Sequence, residues 1–294
     1  MGLSEEAVSI AALQRQSPLD ALETRILLCH VTGLSRIELI TRSDQVLTPE
    51  QSATLRQLVQ RRVHGEPIAY IVGQREFYGL MLRVTPDVLI PRPETELLVE
   101  LALAHLPAAA RVLDMGTGSG AIAVALAHSR PDAHVTALDV SKAALAIAAE
   151  NAATHLPQRA AALRFIESDW YAALSGGEQQ FEQFDLIVAN PPYIVADDIH
   201  LSQGDLRFEP EGALTDYRDG MSALRTIIAG APAHLQDGWL LMEHGYDQAD
   251  AVRQELVRSG YAEVQSWRDL AGIERVSGGK VGGGKVSEKS KAKT

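Results

Sequence analysis

The sequence predicts an α/β fold behind a small all-helical domain. Three observations carry this. Through residues 1–75 apolar side chains recur at helical spacing. Over residues 68–90 that period shortens. Between residues 111 and 270 strand-like and helix-like segments alternate. Such alternation implies right-handed crossovers and a largely parallel sheet with helices on both faces.

In the front segment Ala7, Ile10, Ala11 and Leu13, then Leu19, Leu22, Ile26 and Leu27, mark helix faces. Ser17-Pro18 and Thr48-Pro49-Glu50 read as helix starts with proline in the first turn. Gly33 and Gly65-Glu66-Pro67 read as ends, which gives four or five short helices. Ile68, Tyr70 and Val72, then Phe77, Leu80, Leu82 and Val84, alternate around turns at Gly73 and Gly79, as in a hairpin or short strands. Pro86, Pro91 and Pro93 interrupt regular structure, and a helix resumes over Glu94 to His105. Strands are expected at Arg111–Met115, His134–Val140, Leu163–Glu167, Phe184–Ala189, Trp239–Glu243 and Ala262–Trp267. Helices are expected at Ala121–His128, Lys142–Thr154, Ser222–Leu235 and Gln248–Ser259. The expected divisions are a helical domain over 1–75, a β-hairpin linker over 76–90, an α/β domain over 91–280 and a disordered Gly/Lys-rich tail over 281–294.

The net charge of −11 is unevenly spread. Residues 1–75 are neutral, residues 76–273 carry −15, and residues 274–294 carry +4, with five of the six lysines among the last 15 residues. An acidic chain is a poor general binder of polyphosphate, so stable nucleic-acid binding is not expected. No apolar run approaches the roughly 18 to 20 residues of a membrane helix. The single cysteine, Cys29, excludes an intrachain disulfide and a multi-cysteine zinc site. The start, Met-Gly-Leu-Ser-Glu-Glu, lacks the basic and apolar regions of a secretory signal, so a cytoplasmic location is expected.

In an open α/β sheet, ligands lie beyond the carboxyl ends of the strands. The first strand runs into Gly116-Thr117-Gly118-Ser119-Gly120 and then a helix. Glycines let such a turn take positive φ and bring backbone N–H groups to a ligand. The spacing also fits a dinucleotide fingerprint, so the loop alone leaves a nicotinamide oxidoreductase open. Asp139 ends the second strand, where a carboxylate suits ribose hydroxyls; a surface aspartate in a turn is the alternative. Trp170 follows the third strand and could lie along a purine edge or belong to the core. The fourth strand stops at Asn190-Pro191-Pro192-Tyr193. The Asn190 amide oxygen and the Pro191 carbonyl offer two acceptors, the prolines hold the backbone rigid, and Tyr193 offers a flat face. That set suits a planar NH₂ group. Arg92 could orient a cofactor or pair with an acid, whereas Glu209 and His244 read as structural.

Asp114-x-Gly116-x-Gly118-x-Gly120, Asp139 and Asn190-Pro191-Pro192-Tyr193 together resemble class I S-adenosylmethionine-dependent methyltransferases acting on planar amino or amide nitrogens. Further stretches, in order, narrow the resemblance: Gly65–Gly73, Ile90–Glu96, Ser168–Trp170, Arg207–Pro210, Glu243–Gly245 and Glu274–Val276. They are similar to the peptide chain release factor glutamine N5-methyltransferase (HemK-like) family over about residues 5–280. The match departs at the end. The family usually closes with an Arg and an aromatic near Lys280-Val281, and here a Gly/Lys-rich extension follows.

The resemblance implies a Rossmann-like, mostly parallel seven-stranded sheet and a front domain that contacts the substrate. It implies methylation of the glutamine amide nitrogen in the Gly-Gly-Gln motif of bacterial class 1 release factors, with S-adenosylhomocysteine as by-product, no metal, no membrane association and a monomer. Gly116, Thr117, Gly118, Ser119 and Gly120 would line the cofactor loop, with Asp139 on the ribose and Trp170 at the adenine. Asn190 would touch both cofactor and substrate. Asn190, Pro191, Pro192 and Tyr193 would form the catalytic clamp. An adenine-N6 methyltransferase shares that clamp, but would need a basic surface that the −15 of residues 76–273 does not supply.

Overall fold

A computed structural model describes residues 8–159, 163–174 and 181–282. The part of the expected tail beyond residue 282 lies outside the described residues. The chain divides into two compact units: residues 1–74 with 202–208, and residues 75–201 with 209–294.

Among its described residues the first unit holds five α-helices: α1 (Ile10–Gln16), α2 (Ala21–Thr32), α3 (Arg36–Thr41), α4 (Pro49–Val63) and α5 (Ile68–Val72). Their starts follow capping chemistry. Ser35 and Thr48 head reciprocal capping boxes with Glu38 and Gln51, and Pro49 fills the first turn of α4. The start of α2 lies at Asp20 rather than Ser17-Pro18, because the Asp20 carboxylate accepts the N–H groups of Leu22 and Glu23. Ser17 instead closes α1. Ile10, Leu27, Leu28, Leu39 and Leu55 form this unit's core. Ile68–Val72 is helical, contrary to its alternating pattern. Five apolar residues do not discriminate the two periods, and here Gly73, in the left-handed region, ends a helix by donating to the Ala69 carbonyl. Ser202–Phe208 joins this unit through Arg62, which bridges Glu23 and Asp205.

The hairpin β1 (Gln74–Phe77) and β2 (Leu80–Arg83) turns through Tyr78 and Gly79, both at positive φ as a two-residue turn demands. In the second unit, in chain order, come α6 (Glu96–His105), β3 (Arg111–Met115), α7 (Ala121–Ser129), β4 (His134–Asp139), α8 (Lys142–His155), β5 (Leu163–Glu167), β6 (Phe184–Ala189), α9 (Glu211–Leu214), α10 (Ser222–Gly230), β7 (Leu235–Glu243), α11 (Ala249–Arg258), β8 (Ala262–Arg268) and β9 (Glu274–Lys280). Seven strands form one sheet in the order β5-β4-β3-β6-β7-β9-β8. All neighbours are parallel except β9, which runs antiparallel to both β7 and β8.

The expected helix Ser222–Leu235 stops at Gly230. Pro232 sits in the following single 3₁₀ turn, where the α-helix cannot continue, and Leu235 already belongs to β7. The seventh strand forms despite the departure noted at its end. Gly278 and Gly279 pass between β7 and β8, where a Cβ on Gly278 would meet the Leu241 side chain at 2.6 Å.

Two apolar layers cover the sheet. One includes α6 and α7 with Val112, Leu186 and Val188; the other includes α10 and α11 with Leu113, Ile187 and Leu240. The strand order reverses between β3 and β6, which opens a crevice at their carboxyl ends.

Candidate active site

β3 turns into α7 through three glycines at positive φ. Gly116 and Gly118 have open space where a side chain would be, so the backbone there is free to meet a ligand. Gly120 is different. A Cβ on it would meet Ala148 Cβ at 2.9 Å, so it lets the start of α7 pack against α8. The Thr117 hydroxyl donates to Asp114 Oδ2 at 2.6 Å. Asp114 is fully buried, its Oδ1 has no partner among the described residues, and burial pushes its carboxyl up to about 7.

At the end of β4, Asp139 accepts the Gly118 N–H on Oδ2 and the Ser141 N–H on Oδ1, each at 2.9 Å. Each oxygen retains acceptor capacity. Burial raises its pKa, against the backbone donors that lower it. After β5, Trp170 stands at φ 47°, a rare conformation for a bulky residue. Ser168 fixes the turn: its hydroxyl donates to the Trp170 carbonyl at 2.7 Å and accepts the Ala173 N–H at 3.0 Å.

At the end of β6, Asn190 Nδ2 donates to Thr95 Oγ1 at 3.2 Å. With its nitrogen so used, the amide oxygen is the end left for another ligand. The Tyr193 hydroxyl donates to Glu243 Oε1 at 3.3 Å, and Glu243 Oε2 has no partner among the described residues. Burial pushes Glu243 up to about 7, and burial with the Glu243 charge pushes the Tyr193 phenol up. Gln248 Nε2 donates to the carbonyls of Tyr193 and Gly220, each at 3.1 Å. Among the described residues no hydrogen bond is made to the Pro191 carbonyl.

These strand ends enclose a cavity of about 280 Å³. Of the expected site residues, Gly116, Gly118, Asp139, Trp170, Asn190 and Pro192 line it. Thr117, Ser119, Gly120, Pro191 and Tyr193 are not among the residues that line it. The Ser119 carbonyl accepts from Asn151 at 2.8 Å, and the Tyr193 ring packs on the second apolar layer. Two further walls were not read from the sequence: Asp87–Leu89, and Pro210 with Gly212 and Ala213. Glu209 ties them together, accepting the Ile90 N–H at 2.9 Å and Arg92 Nη2 at 2.5 Å. Arg92 therefore pairs with an acid, and Glu209 is a buried structural carboxylate. The Arg207–Pro210 stretch was the available signal. His244 is also structural, buried between Ser277 Oγ and the Gly245 carbonyl. Among the described residues no group of three or more His, Cys, Asp or Glu could hold a metal, and no helix is long and apolar enough to cross a membrane.

The family model described as the PrmC N-terminal domain matches residues 9–73, and that of the methyltransferase small domain matches residues 93–205. A release factor glutamine methyltransferase of Burkholderia pseudomallei (strain K96243) is 57% identical over 278 residues, spanning 93% of this chain and 96% of that one. Another, from Bordetella pertussis (strain Tohama I), is 54% identical over 264 residues, spanning 89% and 95%. Among solved structures, a methyltransferase from Pyrococcus furiosus is 17% identical with a TM-score of 0.50, covering 76% of this chain and 97% of that one. At that identity the likeness speaks to the fold alone.

Proposed function

The chain belongs to the release factor glutamine methyltransferase family, and from that premise we propose that it methylates the amide nitrogen of the Gly-Gly-Gln glutamine in class 1 peptide chain release factors. The observation that carries the reading is the Asn190 amide, anchored through its nitrogen by Thr95 in the wall of a cavity that the glycine loop also lines.

The methyl donor is S-adenosylmethionine, which supplies an electrophilic methyl group when bound. The residues present fit it. Gly116 and Gly118 leave backbone open to a ligand, and Asp139 keeps free lone pairs for ribose hydroxyls. Trp170 presents a ring for the adenine. The orphaned Asp114 Oδ1 gives the loop a buried acceptor suited to a cationic group.

An amide nitrogen is a poor nucleophile, because its lone pair is delocalised into its carbonyl. Asn190 Oδ1 and the Pro191 carbonyl accept its two hydrogens, which raises electron density on nitrogen and aims its lone pair. Pro191 and Pro192 keep that geometry rigid, and Tyr193, fastened at its hydroxyl and its carbonyl, braces the far end. Orientation of this kind contributes roughly 7–11 kcal/mol in well-aligned reactions. The nitrogen proton becomes acidic once the methyl has arrived and leaves to solvent, so no strong base is required. The first unit, which has no such constellation, contacts the release factor.

Methyl-labelled cofactor offered together with release factor and nucleic acid tests the reading. Label in release factor is expected. Label in nucleic acid, or in neither, contradicts it.

A further inference from the structure

We infer that Gln248 is a positioning residue for methyl transfer: it holds the Tyr193 carbonyl and thereby sets the direction of the Pro191 carbonyl, one of the two acceptors of the clamp. This rests on the function proposed above and goes beyond it.

Proline rings fix φ at Pro191 and Pro192 but leave ψ to be settled by the chain on either side. Pro192 confines Pro191 to extended values, a range of about 40° in ψ. A rotation of that size swings the Pro191 carbonyl off a substrate NH₂, and no hydrogen bond among the described residues restrains it. Its direction therefore depends on where the chain is held before and after. Before it, β6 and the bond to Thr95 hold Asn190. After it, the peptide joining Tyr193 to Ile194 is gripped at both polar atoms. Its carbonyl accepts from Gln248 Nε2 at 3.1 Å, and its N–H donates to the Leu214 carbonyl at 3.0 Å. The Tyr193 hydroxyl is also tied, to Glu243 at 3.3 Å, but through rotatable side-chain bonds that fix the ring and not the backbone.

Gln248 is itself fixed end for end. The two ends of a primary amide have nearly the same shape, so hydrogen bonds must choose between them. The Gly245 N–H only donates, and it meets Gln248 Oε1 at 2.8 Å. The nitrogen end therefore faces the carbonyls of Tyr193 and Gly220, which only accept, and both of its hydrogens are used, each at 3.1 Å. Gly245 is held in turn. Its carbonyl pairs with His244 Nδ1 at 2.8 Å, and His244 Nε2 pairs with Ser277 Oγ of β9 at 2.7 Å. Gly220 completes the slot. It stands at φ 72°, and a Cβ there would collide with the Tyr193 carbonyl oxygen and meet Gln248 Nε2 at 2.9 Å. Glycine at this position is what lets carbonyl and amide meet. Gln248 does not line the cavity, so it acts through Tyr193 and not by touching substrate or cofactor.

The test is steady-state methylation of purified release factor by the wild-type chain, Gln248→Met and Gln248→Glu. Cofactor affinity by calorimetry and the thermal midpoint are measured alongside. Gln248→Met keeps the length of the side chain and removes its hydrogen bonds. It is expected to lower kcat about ten-fold or more with KM and cofactor affinity unchanged, because an acceptor is misaimed while the binding surfaces persist. Gln248→Glu keeps an acceptor for Gly245 but turns an oxygen, in place of the NH₂, on two carbonyls. It is expected to be at least as slow as Gln248→Met. Normal kcat in Gln248→Met, a loss that only parallels KM, cofactor affinity or the thermal midpoint, or a Gln248→Glu chain faster than Gln248→Met would overturn the inference. A wild-type chain that leaves release factor unmodified would overturn the proposed function as well, whereas an active wild type with a fully active Gln248→Met overturns this inference alone.

Discussion

The backbone N–H of Gly118 donates to Asp139 Oδ2 at 2.9 Å, which joins the glycine loop after β3 to the acid that ends β4. Asp139 also accepts from Ser141 at the start of α8, so one carboxylate holds two turns at the cavity edge. A residue assigned to ribose binding thus shapes the loop as well.

Asp139→Ala is accordingly expected to act twice. Loss of acceptors for ribose hydroxyls weakens cofactor binding about ten- to a hundred-fold, the usual range for a charged hydrogen bond. Loss of the Gly118 and Ser141 bonds lowers the thermal midpoint. Calorimetry and thermal denaturation check the two effects separately. Unchanged cofactor affinity would sink the ribose assignment.

Gly120→Ala is expected to destabilise the fold by about 1–3 kcal/mol, from overpacking and a strained backbone. Its φ is 80°, and the new Cβ would meet Ala148 Cβ at 2.9 Å and Ala148 Cα at 3.1 Å. Gly116→Ala meets the same backbone penalty with no atom in its way, so it should cost less. Urea denaturation of both variants gives the comparison, and equal losses would contradict the packing role assigned to Gly120.

Stability should fall as pH rises toward neutrality. Burial holds the Glu243 carboxyl at about 7, above its ordinary 4.5. The groups facing it are Tyr193, which donates to it, and Thr95 and Arg275, which with Tyr193 lower its pKa, and Glu94, which raises it. Between pH 4.5 and about 7 the folded state holds the proton more tightly than the unfolded state, so stability falls as pH rises through that window and levels off above it. Buried Asp114, also near 7, adds to the fall. Glu243→Gln should flatten the stability slope in part, because Asp114 titrates over the same range. Thermal midpoints across pH, without added cofactor, check this; identical slopes for wild type and variant would contradict it.

Much of this site was legible in the sequence because a parallel sheet writes its strands as short apolar runs that stop at turns. Arg111–Met115, Leu163–Glu167 and Phe184–Ala189 are strands with the bounds read from the residues. Each ends at chemistry: the glycine loop, the turn of Trp170 and the Asn-Pro-Pro-Tyr stretch. What escaped reading depends on contacts that chain order hides. Ile68–Val72 is too short for period to decide, and the capping of Gly73 made it a helix. Asp87–Leu89 and Pro210–Ala213 wall the cavity because Glu209 reaches back to Ile90 and Arg92. Thr95 meets Asn190, and Tyr193 meets Glu243, only once the residue before α6 and the ends of β6 and β7 are assembled. Asp205 joins the helical unit through an ion pair with Arg62 that no local pattern announces.

The central claim is that Asn190 orients a release factor glutamine for methyl transfer. Peptide mass spectrometry of release factor, after incubation with S-adenosylmethionine and either wild-type or Asn190→Ala chain, tests it most directly. The account predicts one added methyl on the Gly-Gly-Gln glutamine with wild type. With Asn190→Ala it predicts a fall of about 10²–10³ in rate at nearly normal cofactor affinity. An unmodified glutamine with wild type, or an undiminished rate with Asn190→Ala, would contradict it.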